Sequence, residues 1–328
     1  MNNPSTYLIH HRPFTTYTAS TKTLRDRPKH NILFDLNYLG VMNIIGAKGH
    51  DFLQGQLSCD VREVTAEYMR PSALCDLKGR VLMLPDVLEW NEGLHLILPH
   101  DLIPAARRLL AKPAALSRVT LEHATNYDLF GFLLNNPNDL LPFNGTLPTA
   151  PLSVSAHEDG CCYAQSHNAY VFIVNKSHRE AFTLPFKQHP QQWQGSLAWH
   201  AQRLLQKKIE IYPESSGLFL PHRLDLQHTG YLNFNKGCYK GQEIIARMHY
   251  RSTAKHTLKS FKITYQEPLY AGLRFYLPKT NTEIGELVDF CPINDHEYII
   301  AASLLFEHPI VCYLGDQEVT LHALDTND

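Results

Sequence analysis

Short apolar runs joined by tight turns constrain this chain more than any other feature, because strands connected by a few residues must lie antiparallel. The runs at 72–75 and 80–90 flank Asp76-Leu77-Lys78-Gly79, where the aspartate can start a turn and the glycine can take positive φ. That reads as a hairpin. Upstream, residues 32–45 form a strand-like stretch ending at Gly46, and Phe52, Leu53, Gln56 and Leu57 give 51–57 a helical pattern. Downstream, Asn91-Glu92-Gly93 marks a second turn and 94–98 resumes a strand. Asp101 then opens a helix with Leu102, Ile103, Ala106, Leu109 and Leu110 on one face, which Pro113 should stop. This order predicts an α+β fold of antiparallel sheets with helices rather than a doubly wound one. No GxGxxG or GxxxxGK[ST] follows a strand, which counts against Rossmann and P-loop nucleotide sites.

With 328 residues the chain can hold more than one core, and its pattern changes along its length. Residues 135–151 are rich in Asn, Pro and Gly and read as a loop, 170–174 as a strand, and 196–208 as an amphipathic helix through Leu197, Ala201, Leu204 and Leu205. From residue 258 onward, short strands such as 261–265 and 298–306 alternate with Gly and Pro turns, which predicts a small β-barrel or sandwich. The expected divisions are a polar, unstructured leader over 1–29 that contains His10 and His11, a mixed unit over 30–257, and a C-terminal β unit over 258–328.

Charge narrows the function classes. The 30 Lys and Arg against 32 Asp and Glu give a net charge of −2, without the electrostatic footprint of a protein that coats duplex nucleic acid. No apolar run nears the roughly 18 residues that span a bilayer, and residues 1–20 lack a signal-peptide pattern, so the chain reads as cytoplasmic with no membrane partner. Seven cysteines without a CxxC pair indicate neither a disulfide framework nor a zinc ribbon. The adjacent Cys161 and Cys162 suit a strand, and Cys75, at the end of an apolar run, suits core packing.

The densest segment runs from Phe219-Leu220-Pro221-His222 to Lys236-Gly237-Cys238-Tyr239-Lys240-Gly241-Gln242-Glu243-Ile244-Ile245-Ala246-Arg247. Two glycines four apart permit a tight loop, and the helix formers that follow put Cys238 just before a helix N-terminus. The helix dipole, with Lys236 and Lys240, would favour a thiolate there. The alternative is a small buried cysteine in a loop whose glycines serve only the turn.

Lys236 to Glu243, with Ala246-Arg247, resembles the K-G-C-[YF]-x-G-Q-E…A-R signature of the YgfZ family, folate-binding proteins related to the T-protein of the glycine cleavage system. Phe52-Leu53-Gln54-Gly55-Gln56-Leu57 with Asp60-Val61 is similar to the family's F-L-Q-G-Q-L-x-x-D-V. Cys75-Asp76-Leu77-Lys78-Gly79-Arg80 is similar to its C-[DN]-x-K-G-R hairpin, and Phe219-Leu220-Pro221 to its F-[IL]-P-Q. The resemblance covers roughly residues 30–260. It implies a T-protein-like folate-binding domain followed by a small C-terminal β-barrel, tetrahydrofolate as cofactor, and a role supporting iron–sulfur enzymes. Enzymes that modify tRNA, a radical tRNA methylthiotransferase among them, are the clients the resemblance implies.

On this resemblance Cys238 is the expected functional thiol, and Lys236, Tyr239 and Gln242 are expected beside the cofactor. Lys78, Arg80 and Arg247 are expected to hold the folate glutamate tail, since carboxylates are best held by charge-assisted hydrogen bonds. The chain departs from the family where E-A-G-x-P is replaced by Leu205-Gln206-Lys207-Lys208-Ile209, where R-G is Arg251-Ser252, and where K-R is Lys255-His256. In T-proteins the lost carboxylate pairs with the pterin N–H edge, so weaker folate binding is expected, with Glu210 and Glu214 nearby in sequence. Trp193 and Trp199 are further candidates, as stackers on a pterin, against a plain core role. The alternatives are a true aminomethyltransferase, with Asp101 as its carboxylate unless that residue only caps its helix, and a redox sensor using Cys238 alone.

Overall fold

The computed structural model describes residues 5–17, 29–143, 146–157, 160–251 and 255–324. Three sheets dominate. The first orders Thr120–Ala124, Leu39–Ile45, Gly93–Pro99, Asp86–Trp90 and Arg70–Pro71, all antiparallel. The second orders Val154–His157, Gly160–Ala164, Ala169–Asn175, Tyr127–Leu133, Ile32–Asp35 and Trp193–Gly195, antiparallel except for the last pair. The third is a nearly closed, barrel-like antiparallel sheet of seven strands from His256–Thr264 to His322–Ala323. The antiparallel α+β arrangement with a C-terminal barrel is therefore the one the turn pattern predicts. A separate small hairpin pairs Leu74–Cys75 with Val81–Met83 across the Asp76-to-Gly79 turn.

Among the described residues five α-helices accompany these sheets: α1 (Gly49–Gln54), α2 (Ile103–Ser117), α3 (Arg179–Lys187), α4 (Ser196–Leu205) and α5 (Gln242–Arg251). The central one is α4, which buries Leu197, Trp199, His200, Ala201 and Leu204. It lies close on the second sheet because Gly131 has no side chain; a Cβ there would stand 2.6 Å from the Trp199 ring. On its other side His200 Nε2 lies 3.2 Å from the Phe290 carbonyl, and the Ser260 hydroxyl donates to the Leu204 carbonyl at 2.6 Å. The helix thus joins the second sheet to the barrel. It ends at Leu205, short of the expected 208, where Lys207 turns to a φ of 58°.

Two further expectations are corrected. Residues 5–16 are not an unstructured leader: Ser5–Ile9 and Arg12–Thr16 pair as a hairpin with Ile9 and Phe14 fully buried, Phe14 stacking on His200 at 5.0 Å. Its polar look comes from the turn, the outward positions and Arg12, which is buried with ion-pair partners, while Ile9 and Phe14 fill the core. The expected leader's residues 1–4 and 18–28 lie outside the described residues, as do 144 and 145 of the expected loop and Ser252. Pro113 lies within α2 and does not end it. Ala106, Leu110 and Ala114 continue one buried face past it, and that packing outweighs the ~3 kcal/mol cost of an internal proline.

Candidate functional site

Three sequence blocks far apart in the chain meet at one end of α5. The Lys236 ammonium donates to the carbonyls of Gln54, Leu57 and Cys59 at 2.9, 2.7 and 2.6 Å, tying the 236–243 loop to the end of α1. Burial pulls its pKa down to about 8, which leaves it charged at neutral pH. Leu57 bridges Leu74 of the small hairpin, and the Ser58 hydroxyl donates to the Tyr231 carbonyl at 2.6 Å. At the hairpin tip the Asp76 carboxylate accepts from the backbone N–H groups of Lys78 and Arg80, both at 2.8 Å.

The hairpin and the loop touch through Gly241, whose φ is 84° and whose Cβ would stand 2.4 Å from the Asp76 carbonyl oxygen. Gly241→Ala therefore combines backbone strain with a clash. It should lower stability by about 2 kcal/mol in a denaturant titration, and an unchanged midpoint would disprove the close docking.

Cys238 is exposed in this loop, four residues ahead of α5, whereas the other six cysteines are buried. Burial pushes the Cys75 thiol up to about 12. Lys78, Arg80 and Arg247 are exposed, and the Arg80 guanidinium donates to the Leu218 carbonyl. The Tyr239 ring lies 5.1 Å from the Lys236 ammonium, and its buried hydroxyl has no hydrogen-bond partner among the described residues. The Gln242 side-chain oxygen accepts from the Tyr239 N–H at 3.3 Å. Trp193 and Trp199 are both buried in the core.

A cavity of about 410 Å³ lies elsewhere, and neither Cys238 nor Lys78, Arg80, Lys236, Tyr239, Gln242 or Arg247 lines it. Its walls are apolar at Met69, Leu84, Leu152 and Leu226, with polar groups at Asp86, Gln165, Arg203 and Lys208. The first sheet supplies Asp86, whose Oδ2 accepts from the Tyr163 hydroxyl at 2.8 Å and the Gln165 amide at 3.1 Å. Desolvation raises its pKa. Arg203 comes from α4 and donates to the Gln165 side-chain oxygen at 3.1 Å, while its Nε has no hydrogen-bond partner among the described residues and lies 3.6 Å from a Glu210 oxygen. Lys208 donates to the Gln165 carbonyl at 3.0 Å, and burial, then the Arg203 charge, pulls its pKa down to about 8. Sequence reasoning missed these side chains because no contiguous motif contains them.

The carboxylates considered from sequence are engaged elsewhere. Asp101 does not cap its helix; it takes a two-pronged ion pair from Arg12 at 2.8 and 2.9 Å. Glu210 accepts from the Tyr38 hydroxyl at 3.0 Å and from Arg12 at 3.3 Å, and Glu214 pairs with His11.

No family profile matches the chain. Among curated proteins it is 24% identical over 279 residues to the tRNA-modifying protein YgfZ of Colwellia psychrerythraea, covering 83% of this chain and 85% of that one. The YgfZ of Sodalis glossinidius is 28% identical over 282 residues, covering 83% and 84%, and that of Klebsiella pneumoniae is 29% identical over 249 residues, covering 73% and 74%. Among solved structures, the glycine cleavage system aminomethyltransferase T from Bartonella henselae superposes with a TM-score of 0.71 at 13% identity, covering 98% of this chain and 94% of that one. The chain is thus similar in sequence to proteins named tRNA-modifying protein YgfZ and has the fold of aminomethyltransferase T.

Proposed function

We propose that this chain is a folate-binding accessory protein of the YgfZ type, which takes a reduced folate in the 410 Å³ cavity and uses the exposed Cys238 thiol in supporting iron–sulfur enzymes. Enzymes that modify tRNA, such as a radical methylthiotransferase, are the proposed clients, in keeping with the name its relatives carry. The cavity carries the reading. Its volume suits a ligand of folate size, its walls suit a flat heterocycle, and few polar groups converge on it. Lys207 lines it at an exposed position and, unlike Arg203 and Lys208, does not bond to Gln165 beside Asp86, so we assign Lys207, rather than Lys78, Arg80 and Arg247, to the carboxylates of the glutamate tail. The division near residue 257 then separates the unit that supplies most of the cavity wall from a barrel that adds Leu258 to it.

Aminomethyl transfer would call for an unengaged carboxylate beside the folate nitrogen, and Asp101 is held by Arg12. Titration with 5-formyltetrahydrofolate should quench tryptophan fluorescence saturably, and a flat response together with no calorimetric heat would refute the folate reading. Cys238→Ser should leave the fold and that titration unchanged while support of iron–sulfur enzymes in cells is lost. A fully competent serine variant would remove the thiol from the account.

A further inference from the structure

We propose that Oδ1 of Asp86 is the acceptor that reads the N–H edge of the pterin, replacing the carboxylate absent at Leu205. The inference rests on the folate reading above and assigns the residue that fixes the heterocycle's orientation. A 2-amino-4-oxo pterin presents two donors side by side, N3–H and the 2-amino group, which a carboxylate accepts with charge-assisted hydrogen bonds.

Each competing carboxylate near the cavity is occupied among the described residues. Asp225 lines it, but its Oδ2 accepts from the Thr257 hydroxyl and the Leu258 N–H, both at 2.8 Å, and its Oδ1 from the Gln227 side-chain amide at 3.5 Å. Glu210 is held by Tyr38 and Arg12 and does not line the cavity. Asp86 differs in that both of its hydrogen bonds, from Tyr163 and Gln165, fall on Oδ2. The residue is half-buried and lines the cavity, and Oδ1 has no hydrogen-bond partner among the described residues. Tyr163 and Gln165 hold the carboxylate in one orientation, as a reading group requires.

The test is calorimetry with 5-formyltetrahydrofolate on the full chain. Asp86→Asn keeps the size of the side chain but turns half of its acceptor surface into a donor. It should weaken binding by about 10- to 100-fold, the worth of hydrogen bonds to a charged group. Equal affinity in parent and variant would overturn the role of Asp86 while leaving the folate reading intact. No binding to the parent would overturn that reading itself. If the variant fails to fold, the parent protein decides: 6-methyltetrahydropterin should bind at least ~10-fold tighter than its 3-methyl analogue, which lacks the N3 donor, and equal binding refutes the assignment.

Discussion

Arg12→Leu should destabilise the protein by about 3–5 kcal/mol, the cost of removing one partner from a buried ion pair. The guanidinium is almost wholly inaccessible and binds both oxygens of Asp101, one oxygen of Glu210, and the Ile211 carbonyl at 2.7 Å. It also sits 4.3 Å from the Tyr212 ring centroid. Leucine would fill part of the volume and satisfy none of these groups. Glu210 would be left buried with the Tyr38 hydroxyl and an Arg203 nitrogen 3.6 Å away. At about 2–4 °C per kcal/mol for a chain of this order of size, the thermal midpoint should fall by roughly 10 °C. Asp101→Asn should cost much less, near 1 kcal/mol, because that carboxylate reaches solvent. A midpoint for Arg12→Leu within two degrees of the parent would show that the N-terminal hairpin is not anchored by this residue.

Lys236→Met should lower stability by about 3 kcal/mol, since it withdraws a charged donor from three buried carbonyls at once while nearly conserving volume. The expected loss is smaller than the sum of three bonds because the ammonium's own desolvation is relieved. Hydrogen exchange should quicken over residues 54–59 before other parts of the chain, because the tie runs between that segment and the Cys238 loop. Uniform exchange and an unchanged denaturant midpoint would mean that water replaces the ammonium without cost.

What was legible in the sequence was local. The Asp76-to-Gly79 turn, the block at 52–57 and the Lys236-to-Glu243 signature each announce themselves within a few residues, because turns and glycine loops are set by short-range geometry. Their convergence was hidden, since the Lys236 contacts span 177 to 182 residues. The cavity's polar groups were less visible still. Asp86 stands within the apolar run at 80–90 with nothing local to set it apart, and only Tyr163 and Gln165, 77 and 79 residues away, show its place on the cavity wall. The N-terminal hairpin failed for a related reason: two apolar side chains cannot outweigh His10 and His11 in a composition-based reading, yet Ile9 and Phe14 are the two that enter the core. Pro113 shows local propensity overridden by tertiary packing, with Ala114 buried directly after it.

The burial of six cysteines around one exposed thiol makes the native protein singly addressable without engineering. A maleimide fluorophore, spin label or photo-crosslinker added to the folded chain should attach at Cys238 and nowhere else, with a stoichiometry of one until the fold is opened by denaturant. Because that position sits where the 52–57 block, the small hairpin and α5 converge, a probe there would report on whatever macromolecule approaches this corner. A crosslinker at Cys238 would capture that neighbour covalently, giving a direct route to the client from the unmodified sequence.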